Sequence, residues 1–325
     1  MLLTDVKNFY ITHSLQFCLI LFFILVVTNY FFILNYSYEN FGNELIRIQE
    51  KYFEQISEAS KKIYIIGNSM TLAINPDRIE NELQEYEVYN LSIGGYNLEQ
   101  RIRTLEQILE KKPEMIILGI SYRDFEMTQR EINFSTESEE NISWIKVEYT
   151  KFSNEVVTKF PFLESPRYYF HKVIFGSHDF VPESAEGDFN SKTPFFIPEE
   201  KNFKVIPNKK IFDSEPKIPI INSWDNNSRI KFTDYFLKEL LKNDIDIVLV
   251  SVPLHKVAND SMSENTKRNF NEIINNLTNV NKIAFLDLRT KYQNLEIWLD
   301  SEHISFGESS NIYTDDIIKK IKEEI

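Results

Sequence analysis

The sequence predicts an α/β fold: a doubly wound, three-layer α/β/α domain around a five-stranded parallel sheet in the order 2-1-3-4-5, behind an N-terminal transmembrane helix. Three observations carry this. Short apolar runs recur along the chain, amphipathic helical patterns lie between them, and one long N-terminal segment has no charged residue. Strands alternating with helices imply a parallel sheet covered on both faces, with ligand chemistry at the carboxyl ends of the strands.

The N-terminal segment comes first. No Asp, Glu, Lys or Arg occurs between Lys7 and Glu39, and residues 17–27 and 30–34 are almost wholly apolar. About 20 such residues span a bilayer as a helix. No A-x-A-like cleavage site follows, which favours a retained anchor over a cleaved signal peptide. Lys7 precedes the span, so positive-inside logic places the N-terminus in the cytoplasm and the remainder outside. This gives residues 1–37 as tail and anchor. Residues 38–60 follow as a polar helical stalk, with Leu45, Ile48, Tyr52 and Ile56 at helical spacing. Residues 61–325 are the globular domain. Sequons at Asn133 and Asn141 suit an outside location.

Within the domain, residues 62–66 form a β-branched run that ends at Gly67 and reads as a buried strand. Residues 86–91 are a second strand. Residues 97–112 are an amphipathic helix, with Asn97 as cap, Leu98, Ile102, Leu105, Ile108 and Leu109 as stripe, and Lys111-Lys112-Pro113 as stop. Residues 115–120 are a third strand, 229–243 a helix, 245–252 a fourth strand, 283–288 a fifth, and 309–325 a last helix. Residues 125–225 break the rhythm. Their prolines and aromatics read as an insertion that covers or shapes the site, since a disordered linker is poorer in aromatics.

Composition excludes several functions. The formal net charge of −13 repels a phosphate backbone, so no nucleic-acid partner is expected. The one cysteine, Cys18, lies in the apolar segment, which leaves the domain without a disulfide or a thiolate metal site. Apart from Asp300 and His303, no His/Asp cluster has ligand spacing, so neither metal nor cofactor is expected.

Candidate chemistry sits at the strand ends. Gly67-Asn68-Ser69 follows strand one, where a serine is placed as an exposed nucleophile, although capping turns use the same residues. Gly94 and Gly95 follow strand two. Paired glycines let backbone N–H groups approach an oxyanion, or simply make a turn. Ser121 and Arg123 follow strand three and border the same crevice, and Arg123 and Asp124 are equally placed to pair with each other. Asp300 and His303, three residues apart after the last strand, suit a carboxylate that orients an imidazole base.

Taken together, Gly67-Asn68-Ser69, Asn90-Leu91-Ser92 with Gly94 or Gly95, Val250-Ser251-Val252-Pro253 and Asp300-x-x-His303 resemble the blocks of the SGNH/GDSL hydrolase superfamily, in the right order. The resemblance covers about 61–124 and 245–325. It implies a Ser69-His303-Asp300 triad, an oxyanion hole from the amides of Ser69 and Gly94 or Gly95, and ester hydrolysis or O-acyl transfer. The tether and the aromatic insertion point to an acylated surface glycan or a lipid-linked substrate. Two departures stand out. Asn68 replaces the usual aspartate, as in membrane-tethered polysaccharide acetylation proteins of the superfamily. Gly119-Ile120-Ser121-Tyr122 lacks the family's Asn donor, which leaves Ser121 or Arg123 to substitute, or a weakened oxyanion hole. The weakened case is compatible with a glycan-binding or assembly component that kept the fold.

Overall fold

The computed structural model describes residues 52–56, 60–94, 104–126, 192–193, 205–212, 219–221 and 227–325. All of these belong to one compact unit. The expected anchor, the first part of the stalk, Gly95, both sequons and most of the insertion lie outside the described residues. Among the described residues no helix is long and apolar enough to cross a membrane.

Five strands form one sheet: β1 (Lys61–Ile66), β2 (Tyr86–Asn90), β3 (Met115–Ile120), β4 (Asp246–Ser251) and β5 (Ala284–Asp287). Their order is β2-β1-β3-β4-β5, and every pair is parallel. Ile63 pairs with Val88 on one side and Met115 on the other, and Ile117 pairs with Val248. This register brings the carboxyl ends of the strands to one edge. All of β3 is buried, as is β4 after Asp246. That is why both read as continuous apolar runs rather than alternating ones.

Side chains still alternate between the two faces, as a pleated strand requires. On one face Tyr64, Ile66, Ile116, Leu118, Ile247 and Leu249 join a single core. It is covered by α2 (Leu105–Lys111), α4 (Ser228–Lys242) and α6 (Glu264–Asn281). On the other face Ile63, Ile65, Ile117, Val248 and Val250 pack with α1 (Pro76–Glu82) and α7 (Asn311–Glu324), through Ile79, Tyr313, Ile317 and Ile321. Two shorter helices complete the described set, α3 (Asn208–Phe212) and α5 (Lys256–Ser261).

Local chemistry explains the boundaries. Asn75 accepts the N–H of Arg78 and Pro76 opens α1; Asn227 accepts from Arg229 at α4, and Ser263 from Thr266 at α6. Side-chain oxygens of these types satisfy the orphan donors of a first turn. α2 ends at Lys112 in the left-handed region with φ 43°, directly before Pro113, which cannot continue it. The start expected for this helix, 97–103, lies outside the described residues.

The described end of the expected stalk is packed. Tyr52, Phe53 and Ile56 are buried, and Tyr52 and Phe53 contact Tyr89 and Tyr64 edge-on. The end of the segment expected as a stalk therefore packs on the sheet. Of its apolar stripe, Tyr52 and Ile56 belong to the core of the domain.

Both roots of the insertion are also fixed. The side chain of Asn227 donates to the Phe125 carbonyl at 2.8 Å, so the chain leaves and returns at one place. Elsewhere, the Asn90 N–H donates to the Lys192 carbonyl at the sheet edge, and the Ile206 N–H donates to Trp298.

Candidate active site

Ser69 opens a single 3-10 turn, Ser69–Thr71, immediately beyond β1. The turn is held from beneath by buried polar side chains. Asn68 accepts the Met70 N–H at 3.0 Å. Asn90, fully buried at the end of β2, donates to the carbonyls of Thr71 and Ile74 and accepts the Ser92 N–H. Thr71 bonds the Asn68 carbonyl and the Ser92 hydroxyl. Each buried polar group thus has a partner, which removes a penalty of roughly 1–3 kcal/mol per group left unpaired.

Two glycines make room for this arrangement. A Cβ on Gly67 would lie 2.0 Å from Thr71 Oγ1, and one on Gly119 would lie 1.8 Å from Thr71 Cγ2. Thr71 therefore fills the space that side chains at the ends of β1 and β3 would take. Gly94 approaches the Ser69 turn from β2: a Cβ there would lie 3.8 Å from the Ser69 Cβ. The Ile93 N–H donates to the Gly67 carbonyl and pins the two loops together.

The other half of the site is a small loop closed by the Trp298–Ile304 antiparallel bridge. The Leu299 N–H donates to the His303 carbonyl, and the Ser305 N–H to Ile297. Trp298 is fully buried and meets His255 edge-on, while the His255 N–H donates to the Ser301 carbonyl. His255 caps α5 by accepting the Val257 N–H, and burial lowers its basicity. It supports the loop from inside and is not part of the reacting set.

Ser69 Oγ lies 2.8 Å from His303 Nε2, although the two residues are 234 positions apart. His303 Nδ1 lies 2.8 and 3.0 Å from the two Asp300 oxygens. Asp300 also accepts the N–H groups of Glu302 and His303 at 2.7 and 2.8 Å. This network assigns the neutral imidazole proton to Nδ1 and leaves Nε2 to accept from the serine hydroxyl. Burial alone raises the Asp300 carboxyl, but the imidazole and the two amides outweigh it and hold the group below the usual aspartate range. The sign follows: Asp300 stabilises the fold above the unfolded aspartate range, and that contribution is lost as pH falls through its depressed value.

Two residues expected near an oxyanion are otherwise engaged. Ser121 is buried, and its hydroxyl donates to Asp124 at 2.9 Å while accepting from Asn68 at 3.1 Å. Its one hydrogen is used, so it does not replace the missing Asn donor. Arg123 does not pair with Asp124. Its guanidinium grips the Glu302 carboxylate through Nε and Nη2, and this hydrogen bond raises the Arg123 pKa. Asp124 instead accepts from the Ser121 N–H and from Asn68. Among the described residues no group of His, Cys, Asp and Glu is arranged to hold a metal.

Asn90, Thr71 and Glu302 belong to the site's support and carry no signal of their own in the sequence beyond their neighbours. Asn90 opens a motif block, and Glu302 sits between Asp300 and His303.

Comparison with known proteins gives remote structural likenesses only. No protein-family model matches the chain, and no curated protein does. Among solved structures, the acetyl xylan esterase AlAXEase is 14% identical over 81% of this chain and 99% of its own, with a TM-score of 0.40. A GDSL-like lipase from Bacteroides thetaiotaomicron is 12% identical over 88% and 100%, with a TM-score of 0.41. An esterase, EstA, from a Pseudoalteromonas species is 10% identical over 82% and 98%, with a TM-score of 0.40. Likenesses this remote do not decide what the chain does, so the side-chain geometry has to.

Proposed function

We propose that the chain is a serine-dependent ester hydrolase or O-acyltransferase of the SGNH type, acting on acyl esters of a surface glycan or a lipid-linked substrate. The observation that carries this reading is the continuous relay Ser69 Oγ to His303 Nε2 to Asp300, with both hydrogen bonds at 2.8 Å. A hydroxyl alone is a weak nucleophile, and an adjacent oriented base activates it.

The chemistry runs in two halves. His303 Nε2 takes the Ser69 proton as Oγ attacks the ester carbonyl, and Asp300 stabilises the imidazolium. The N–H groups of Ser69 and Gly94 receive the oxyanion. The tetrahedral intermediate collapses, the leaving alkoxide takes the proton from His303, and an acyl-Ser69 remains. Water or a sugar hydroxyl then gives its proton to Nε2 and attacks the acyl group, releasing an acid or a new ester and restoring the Ser69 hydroxyl. The apolar segment 17–34 supports a single-pass anchor with the N-terminus in the cytoplasm and the domain outside.

A second reading has its own support. Because Ser121 is tied to Asp124 and Asn68, the oxyanion is left to backbone donors. Losing one side-chain donor costs on the order of 10²–10³ in rate. A domain so weakened would bind acylated glycan without turning it over.

The two readings part on covalent labelling. A fluorophosphonate is expected to label the wild-type chain at Ser69. Ser69→Ala should abolish both the labelling and the hydrolysis of a chromogenic acetyl ester, with the unfolding transition unchanged. Glycan binding without labelling would favour the second reading, and labelling that survives Ser69→Ala would remove this serine from the mechanism.

A further inference from the structure

We propose that Arg123 and Glu302 form a positioning pair that holds His303 in line with Ser69. Arg123 lies on the 3-10 turn Tyr122–Phe125 directly after β3, the strand between β1 and β4, and so on the side of Ser69 that faces the loop carrying His303. Its guanidinium engages both oxygens of Glu302, a two-pronged geometry that fixes direction as well as distance. Glu302 is the residue before His303, and its own N–H donates to Asp300. The pair thus grips the one segment that sets both the imidazole and its carboxylate partner.

The surroundings fit a positioning role. The Glu302 side chain is 13% exposed and that of Arg123 is 32% exposed. Glu126 stands 3.7 Å from the same guanidinium, so the cation is already shared. A two-pronged, partly buried pair also contributes to stability, but its distinguishing effect is on rate, because a small misplacement of a reacting group costs rate heavily. Substrate carboxylate or oxyanion binding by Arg123 is disfavoured, because two carboxylates already occupy it.

This inference deepens the serine-hydrolase reading and depends on it for its kinetic arm alone. Selective ¹⁵N-histidine labelling of the full chain leaves five imidazoles to follow. The His303 Nδ1–H proton bonded to Asp300 gives a downfield resonance, identified by its loss in Asp300→Asn. Arg123→Met and Glu302→Gln are each expected to broaden or abolish that resonance at a temperature well below their own thermal midpoints, where both remain folded. Both should lower kcat on the order of 10²-fold with KM little changed. Arg123→Lys keeps the charge without the planar fork and should recover part of each signal. Glu302→Gln preserves the side chain's shape, so it remains informative if Arg123→Met fails to fold. A resonance that persists in Glu302→Gln overturns the pair's role. A wild-type chain that turns over no ester, yet whose resonance still requires the pair, would sink the hydrolase reading and leave the positioning pair standing.

Discussion

Asn68 stands where an aspartate is expected, and its neighbours give a reason. Its amide nitrogen donates to the Asp124 carboxylate at 3.1 Å and to the Ser121 hydroxyl at 3.1 Å, in a site that is almost closed to water. An aspartate there would set two carboxylates against each other, and like charges that close do not both ionise. Asn68→Asp is therefore expected to destabilise the domain, more at neutral pH than at acid pH where a shared proton relieves the repulsion. The double variant Asn68→Asp with Asp124→Asn restores a donor opposite an acceptor and should recover most of the loss. Thermal midpoints measured across pH test this, and a single variant as stable as wild type at pH 7 would refute it. The residues proposed to react were visible in the sequence, because serine, histidine and aspartate stand out by type and by their place at strand ends, and the structure brings the three within hydrogen-bond reach. Their restraints were not. Arg123 and Glu302 are 179 residues apart, and nothing local says that Arg123 turns away from Asp124 next to it.

At the scale of elements, the nucleophile turn depends on Thr71 filling the space above Gly67 and Gly119. Gly119→Ala forces a methyl group into the Thr71 side chain, and overpacking of this kind costs about 1–3 kcal/mol. The strain falls on the turn that begins with Ser69, so fluorophosphonate labelling should slow in step with a lowered thermal midpoint. Unchanged labelling with an unchanged midpoint would mean that Thr71 moves aside freely. The strands, the end of α2 and the bounds of α4 and α7 were readable because each obeys a simple rule, whereas α1, α3, α5 and α6 were not read. Buried parallel strands read as unbroken apolar runs, and caps use Asn, Ser or a left-handed lysine. α6 is the instructive omission. Its stripe of Phe270, Ile273, Ile274 and Leu277 has helical spacing, but the many Asn and Thr residues between them look like loop. α1 is short and begins with Pro76, and a proline early in a segment reads as a break until its place at the first helical position is seen.

For the whole molecule, the layers and the sheet order could be read in advance, since alternating strands and helices leave few arrangements open. Tyr52, Phe53 and Ile56, read as the end of a stalk, pack on the sheet, because a helical stripe serves equally for a stalk or for a helix packed on the domain. The proposed anchor makes a prediction at this scale. The full chain should sediment with membranes and resist extraction by alkaline carbonate, and removal of residues 1–37 should release it. Recovery of the full chain in the carbonate supernatant would overturn the anchor.

The strand order has a consequence for how the chain reaches this state. β3 and β4 are neighbours in the middle of the sheet, yet residues 121–245 separate them in sequence. The first three strands are contiguous enough to assemble early, as one half-sheet with the edge of β3 bare. Closing that edge must wait for a distant segment to be synthesised and to find it, and pairings of such long reach are slow. During that interval an apolar edge stands open to other chains. Newly made copies are therefore most prone to self-association before β4 has docked, which places the risk in biogenesis and not in the finished fold.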